Sequence, residues 1–560
     1  MSKTFPWYEL YPDGVTHEIG DFPANNVAEL LGQCVDKYKD KIAYSNFDKE
    51  LTYNEIGKLS TDFASYLQSI GLKKGDRIAI QMPNLLQYPI AMFGAIKAGL
   101  IVVNTNPLYT PREAEHQFKD AGVDAIVILA NFASNLEKVL QNVPIKHIVI
   151  TEIADMVGGI KGGIMNFVVK HIKKMVPPYS IPQAVSFKKA LSIGSGNKFN
   201  VPEINLKDNV FLQYTGGTTG VSKGAELSHG NIIAHTLQCG EVFKPWIDPD
   251  KQEIMVTAIP MYHIFALAVN GIFGFAAGMY NVLITNPRDM DGFVKELSKH
   301  KFSIITGVNT LFNGLLNNPG FKNIDFSGLK GGLGGGMAVQ DFVARKWKEV
   351  TGADLIEGYG LSETSPVLCV NPFDGNHRMG YIGLPTPSTE VGIFDDAGNQ
   401  LPPGEIGEIC ARGPQVMKGY WNRDNAGVFF HSDWFKTGDM GIMESNGFFK
   451  IVDRKKEMIL VSGFNVYPNE VENVIADHPK VLEVAAVGVP HEKSNECVKV
   501  FVVKSDESLT EEELEAYCEE NLAGYKRPKY IEFRTELPKS NVGKILRRIL
   551  KEEEMAKPSA

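Results

Sequence analysis

The chain reads as an α/β protein: a large N-terminal domain of α/β subdomains that also carries a β subdomain, followed by a small α+β C-terminal domain. Three observations predict this. Strand-like and helix-like stretches alternate over the first 200 residues, the rhythm of parallel sheets covered by helices. Gly and Pro punctuation thickens from about 370 and bounds short strands. The last hundred residues change texture, with helical stretches set between strands.

Taken in order, residues 77–82 form a strand, Pro83-Asn84 turns the chain, and 85–98 form a helix closed by Gly99. Residues 100–104 are the next strand and 111–121 the next helix; 124–129 and 147–150 are further short apolar strands. Residues 156–178 differ. Gly158, Gly159, Gly162 and Gly163 precede a run at 167–175 in which lysines and apolar residues separate onto two helical faces. Two readings stand: a surface helix with solvated lysines, or an interfacial helix that touches membrane or receives a lipid. Residues 209–213 read as a buried strand, and Ser228 as the polar cap of a new helix. From 264 to 284 there is no charged residue, a length that suits a membrane span. Asn270 and Asn281 interrupt it, with Gly271, Gly274 and Gly278 between, so a buried helix followed by a buried strand is expected. Short strands such as 391–394 and 407–411 suggest a compact β subdomain before the chain reaches 448–452. Beyond it, 471–476 and 511–520 are helices, the second with a Thr510/Glu513 capping box, and 484–489 and 497–503 are strands. The division falls at 1–453 and 454–560.

Bulk properties narrow the function. At 560 residues the chain exceeds one ordinary core. Hydrophobic content of 44% and charged content of 22% are those of a soluble globular protein. A net charge of −9 argues against a nucleic-acid binder. Six scattered cysteines without a CxxC pair point to reduced thiols and give no zinc site. The first residues hold no apolar run of the signal-peptide kind, so a cytoplasmic protein is expected.

The chemistry begins at 214–225. Tyr214, Thr215, Gly216, Gly217, Thr218, Thr219, Gly220, Ser222 and Lys223 combine glycines, hydroxyls and one ammonium. Glycines permit positive φ and close backbone approach to a ligand. Successive N–H groups with those side chains make a site for an oligophosphate. The Walker A pattern is not met, because Lys223 follows Ser222 and precedes Gly224. Residues 330–336 hold five glycines, a loop on which a flat ring can lie. Glu357, Gly358, Tyr359, Gly360, Ser362 and Glu363 follow a strand and offer an aromatic face, hydroxyl and carboxylate; Mg²⁺ takes hard oxygen ligands and often only one or two carboxylates beside phosphate. Asp439, placed at a turn in 434–439, has the capacity to accept from two ribose hydroxyls. Each feature alone also fits turn glycines, a surface carboxylate or an Asx cap.

Together with Gly407-Glu408-Ile409, Gly413-Pro414, Gly419-Tyr420, the stretch 453–459 and the stretch 538–544, and in this order, these motifs resemble the adenylate-forming ligases, which include acyl-CoA synthetases and luciferases. The resemblance covers nearly the whole chain. It looks closest to bacterial long-chain fatty-acyl-CoA synthetases, through 104–113 and 460–470. It implies that a fatty acid carboxylate attacks the α-phosphate of ATP to give acyl-AMP and pyrophosphate, after which the thiol of coenzyme A displaces AMP. Two unit charges about 4 Å apart repel by roughly 4 kcal/mol at an effective dielectric near 20, so the first step needs cations. By resemblance, Mg²⁺ is held by Glu363 and Thr218, Lys223 belongs to the loop over the β- and γ-phosphates, and Lys544 reaches from the small domain to the α-phosphate and the carboxylate. Tyr359 stacks on adenine against the backbone of Gly335 and Gly336, with Glu357, Gly358, Gly360 and Ser362 in the same nucleotide set. Asp439 and Arg454 hold the ribose. His263 matches a histidine near the carboxylate, and also fits a hydrogen-bonded core histidine. The small domain is implied to be mobile, with Lys456 as its hinge and Ser462, Gly463 and Phe464 facing pantetheine after it turns.

The expected function is a long-chain fatty acid–CoA ligase using ATP, Mg²⁺ and coenzyme A. A fatty acyl-AMP ligase, a medium-chain or aryl-CoA ligase and a non-catalytic nucleotide binder are the alternatives. Peripheral contact with the inner face of the cell membrane and a homodimer are further expectations; a nucleic-acid partner is not.

Overall fold

The computed structural model describes residues 5–215, 222–431, 433–462, 464–491, 494–540 and 543–556. Two large sheets form the N-terminal region. The first has seven strands, in the order Val185–Ser186, His147–Thr151, Ala125–Leu129, Arg77–Gln81, Ile101–Asn104, Asn209–Thr215, Lys223–Ser228. All its pairings are parallel except the last. The second has nine strands and runs from Leu384–Pro385 through Gly331–Gly334 and Ile254–Thr257 to Lys49–Thr52. One hydrophobic cluster joins them, containing Ile78 and Ile80 of the first sheet and Met255, Ile304 and Leu333 of the second. The helix Gln87–Lys97, apolar nearly all round, belongs to that cluster, as expected of a helix buried on every side.

In the seven-stranded sheet the chain leaves Arg77–Gln81 toward Ile101–Asn104 on one side, then returns to Ala125–Leu129 on the other. Ligands of open α/β sheets bind beyond the carboxyl ends of strands at such a reversal. Buried amides finish these strands: Asn104 Nδ2 donates to Gln213 Oε1 at 3.0 Å, and Gln213 Nε2 donates to the Tyr262 carbonyl at 2.8 Å. The second bond draws the 260–263 turn of the other sheet onto the first.

The charge-free stretch is Ala266–Phe273 and Gly274–Ala276, helical, then the strand Tyr280–Leu283, all three heavily buried. Among the described residues no helix is long and apolar enough to cross a membrane.

Three local expectations change. The glycine-rich 214–225 stretch is not a strand–loop–helix element. Asn209–Thr215 and Lys223–Ser228 pair antiparallel, Thr215 opposite Lys223, and the helix His229–Val242 starts only after the second strand. The glycines of 330–336 lie mostly in the strand Gly331–Gly334. They are small because the interior is close: a Cβ on Gly331 would stand 2.2 Å from the Trp246 ring. Asp439 lies within the strand Trp434–Met443 rather than at a turn, paired in register with Arg454 of Phe449–Arg454.

These two strands belong to a five-stranded sheet with Glu390–Phe394, Gly407–Arg412 and Phe429–Phe430. The next strand in the chain, Ile459–Val461, joins a different sheet, with Phe464–Val466, Asn495–Lys504, Val481–His491 and Tyr530–Arg534. Its helices Pro468–Ala476 and Glu511–Asn521 give the small α+β domain; Thr510 accepts from the Glu513 N–H at the start of the second.

Candidate active site

A cavity of about 800 Å³ opens where the two large sheets, the five-stranded sheet and the small domain meet. Of the sequence-predicted residues, Tyr214, Thr215, Lys223, His263, Gly335, Gly336, Gly358, Tyr359, Gly360, Ser362, Glu363, Arg454, Lys456 and Lys544 line it. Gly216, Gly217, Thr218, Thr219, Gly220 and Gly463 lie outside the described residues.

Glu363 follows the strand Asp354–Gly360 in a tight turn, Ser362–Thr364. The turn closes over Gly360, where a Cβ would sit 1.9 Å from the Pro366 carbonyl oxygen. Glu363 is buried, and its Oε1 accepts from the Tyr420 hydroxyl at 2.7 Å. Burial raises its carboxyl pKa, and the Tyr420 hydrogen bond opposes that. Lys223 stands over the Tyr420 ring, its Nζ 5.3 Å from the centroid. The 417–421 segment holds Tyr420 there: the Met417 N–H donates to the Glu363 carbonyl and the Trp421 N–H to the Gly224 carbonyl, both at 2.8 Å.

On the adjoining wall, Tyr359 donates its hydroxyl to Asp439 Oδ2 at 2.6 Å, and Arg454 Nε meets Asp439 Oδ1 at 2.7 Å. Both oxygens of the buried Asp439 are therefore engaged, and Asp439 does not itself line the cavity, contrary to expectation; Arg454 covers it. Glu357 also does not line the cavity. Its Oε2 accepts from the Val339 N–H at 3.1 Å, and burial pushes its carboxyl up to about 8. It fastens the 335–339 loop rather than facing a ligand.

Lys544 is carried into the cavity by a turn of the small domain. The Ser540 N–H donates to the Lys544 carbonyl at 2.7 Å, and the Lys544 N–H donates to Ser540 Oγ at 3.1 Å. Gly543, at φ +82°, brings the turn against the large domain, where Thr310 Oγ1 donates to its carbonyl at 3.3 Å. A Cβ there would lie 2.5 Å from Thr310 Oγ1, so glycine is required by conformation and by contact. Withdrawal from bulk water lowers the Lys544 ammonium pKa and Arg454 lowers it further, while Glu457 and Asp439 oppose this. His263 is held down to about 4, by burial first and then by the charge of Lys544.

Ser462 and Phe464 are not in the cavity. Phe464 is 57% exposed and stacks on Tyr525, ring centroids 4.9 Å apart. They sit on the hairpin of Ile459–Val461 and Phe464–Val466, a part of the small domain that does not reach the cavity in this arrangement. Lys455 beside the expected hinge is a structural cation, paired with Glu408 at 3.0 Å and Asp396 at 2.6 Å.

Sequence reasoning missed several residues. Tyr420 carries no signal beyond its place after Gly419. Arg547 bonds Glu472 (Nε to Oε1, 2.7 Å), Asp453 (3.3 Å), Glu457 and Asn469, tying the residues on both sides of Lys456 to the base of the Lys544 turn. It reads in sequence as one more lysine-or-arginine in a charged tail. Apolar side chains also line the cavity, among them Cys239, Val242, Phe243, Leu333, Val370 and Phe435. Three of these come from the helix His229–Val242 and its exit, which the sequence marks only as a helix start.

Residues 31–421 match the AMP-binding enzyme family, and residues 470–544 match the AMP-binding enzyme C-terminal domain. Over 553 residues the chain is 53% identical to the long-chain-fatty-acid–CoA ligase of Escherichia coli O6:H1, covering 98% of each chain. It is 37% identical over 560 residues to the long-chain-fatty-acid–CoA ligase of Bacillus subtilis strain 168, covering 99% of each. The crystal structure of the anthranilate CoA ligase AuaEII in complex with anthranoyl-AMP shares the fold with a TM-score of 0.82 at 25% identity, over 94% of this chain and 97% of that one.

Proposed function

The chain belongs to the adenylate-forming AMP-binding enzymes, and we propose that it is a long-chain fatty acid–CoA ligase that activates the acid with ATP and then transfers it to coenzyme A. One observation carries the reading: a single cavity is lined both by the charged side chains of Lys223, Glu363 and Lys544 and by the apolar side chains of Val242, Phe243 and Val370. A carboxylate with a long hydrocarbon tail matches that lining, head among the cations and tail along the apolar side chains.

In the first step two anions meet, the acid carboxylate and the triphosphate. Lys544 is the residue placed to draw both together, since it enters from the small domain beside Arg454 and His263. Lys223 serves the leaving pyrophosphate from the start of its strand. Tyr359 offers its ring face to adenine, and its hydroxyl holds the Asp439 carboxylate that in turn positions Arg454 toward the ribose. His263 stays neutral at physiological pH, so it adds no charge beside the carboxylate and is available as a hydrogen-bond partner.

The residues fit a Mg²⁺ ion. Among the described residues no cluster of three or more His, Cys, Asp or Glu makes a full protein cage. A single buried carboxylate whose pKa is raised by burial is the kind of ligand that gains from a cation, and Mg²⁺ commonly takes one carboxylate with phosphate oxygens. Glu363, with Thr218 as the resemblance implies, would hold it, and it would neutralise charge on the phosphates.

For the second step the small domain, 454–560, turns about Lys456. Lys544 withdraws, and the 462–464 hairpin takes its place to guide pantetheine. The decisive experiment is ATP- and CoA-dependent AMP formation across fatty acids from C4 to C20 and a few aromatic acids, with free CoA compared against carrier-bound phosphopantetheine. A maximum at long chains with free CoA is expected. A maximum with aromatic or short acids, or acyl-AMP that passes only to the carrier, overturns the reading.

A further inference from the structure

The helix Gly159–Phe167, continued by Val168–Ile172, is packed opposite to an ordinary surface helix. Its inward positions are Gly162 and Asn166. A Cβ on Gly162 would lie 2.8 Å from the Ala154 carbonyl oxygen, and Asn166 Oδ1 accepts from the Ala154 N–H at 2.9 Å. Its outward positions are Ile160, Ile164, Phe167 and Ile172, followed by Met175; they are 82%, 59%, 58%, 66% and 53% exposed. The 160, 164, 167 spacing is a single helical stripe, which a soluble helix turns toward the core. Here the polar side chain is inside and the apolar stripe faces out.

Charge in the same region is equally one-sided. Residues 156–202 contain seven lysines and no Asp or Glu, in a chain whose net charge is −9. Lys161, Lys170 and Lys188 approach Asp48, Glu152 and Asp155, carboxylates outside the stretch, at 2.9, 3.9 and 3.0 Å. Among the described residues Lys173, Lys174, Lys189 and Lys198 make no such pair. Exposed large apolar side chains with cations beside them fit one surface in particular, the interface of an anionic bilayer.

We propose that this face docks the protein on an anionic lipid bilayer. The helix lies in the plane of the interface, with Ile160, Ile164 and Phe167 among the acyl chains and Lys173 and Lys174 at the level of the phosphates, where long lysine side chains reach water. The proposal rests on the fatty-acid reading only for its purpose: long-chain acids dissolve in bilayers, so a docked enzyme meets its substrate where it is concentrated.

Flotation of the full chain with vesicles tests this without ATP, CoA or turnover, so a failed ligase assay and a failed flotation are separate results. With vesicles of phosphatidylglycerol and phosphatidylethanolamine the wild type should float, and with phosphatidylcholine alone it should float at least tenfold less. Ile164→Glu/Phe167→Glu should cut partition at least tenfold on the anionic vesicles. Lys173→Glu/Lys174→Glu should cut it on the anionic vesicles only, roughly fivefold or more per charge removed, and 0.5 M salt should do the same to the wild type. Both double variants should keep the wild-type circular dichroism and thermal unfolding, because the altered side chains are exposed. No binding by the wild type, or equal partition of the wild type and both variants, overturns the proposal. So does a dimer that Ile164→Glu/Phe167→Glu dissolves while leaving vesicle binding intact, since the face then belongs to a second copy.

Discussion

Two tips of the same small domain stand in opposite surroundings. Ser540 and residues 544–546 of one tip line the cavity, with Lys544 beside Arg454 and His263 and Gly543 against Thr310. The 459–466 hairpin is outside it, with Phe464 more than half exposed. Among the described residues the first tip meets the large domain through a 3.3 Å hydrogen bond at Gly543, and it is fixed to its own base through Arg547. In the proposed cycle that asymmetry lets one cavity serve two reactions. A tip that binds lightly across the gap and strongly to its own domain can leave as a rigid piece, and Asp453, Glu457 and Arg547 gather the fixed contacts around Lys456. In the proposed cycle this arrangement is that of the acid-activating step.

The largest effect should come from the inner tip. Lys544→Ala removes the charge that offsets the meeting of carboxylate and phosphate, and acyl-AMP formation should fall about a thousandfold, the loss typical of a preorganised charge-stabilising group. Thioester formation from supplied acyl-AMP should stay within about threefold. Single-turnover assays of each half-reaction check this, and equal losses in both would dissolve the contrast between the tips. Lys456→Pro should do the reverse. Fixing φ near −65° at the proposed hinge restricts the turn, so the thiol step should drop about a hundredfold, an order set by analogy with other gating residues, while adenylation should fall far less. Unchanged thioester turnover would remove Lys456 from the hinge.

The stationary half of the cavity makes a different forecast. Val242 lines it, at the end of a helix that does not belong to the small domain. Val242→Phe should displace about two methylenes of a bound chain, which at about 0.8 kcal/mol each lowers the preference for the longest acids roughly tenfold. Rates across C8 to C20 acids check it. The shift should appear in both half-reactions alike, since neither tip supplies this wall; a shift in one alone would tie chain length to the domain movement.

How much of this was legible in the sequence follows from what carries the signal. The parallel-sheet rhythm was readable because strands such as Ala125–Leu129 are wholly apolar and helices such as Pro111–Ala121 begin with Thr110 and Pro111. The family and the ligase activity were readable because the motifs stand in order along nearly the whole chain. The roles of single residues were less so. Glu357 sits in a motif of nucleotide-facing residues, yet its partner is the Val339 N–H, a contact set by tertiary packing. The glycines of Gly331–Gly334 looked like a loop because composition cannot show that Trp246 presses on that strand. Arg547 and Thr310 act through partners dozens to hundreds of residues away, and nothing local marks them.

The smallest effect is also the most direct report on the inner tip. His263 is held down to about 4 by burial and, second, by the charge of Lys544. Its folded pKa lies below the ordinary value near 6.5. The contribution of neutral His263 to stability is therefore complete above pH 6.5 and is lost as the pH falls toward about 4, where the folded form also takes the proton. Removing the lysine removes one of the two causes and leaves the other. In Lys544→Ala the His263 midpoint should move upward, toward but not reaching the value of an exposed histidine. Imidazole chemical shifts followed from pH 4 to 8 in the wild type and the variant measure this with no substrate present. An identical midpoint in both would mean that Lys544 does not stand beside His263 in solution, and that the free enzyme keeps its inner tip outside the cavity until ligands draw it in.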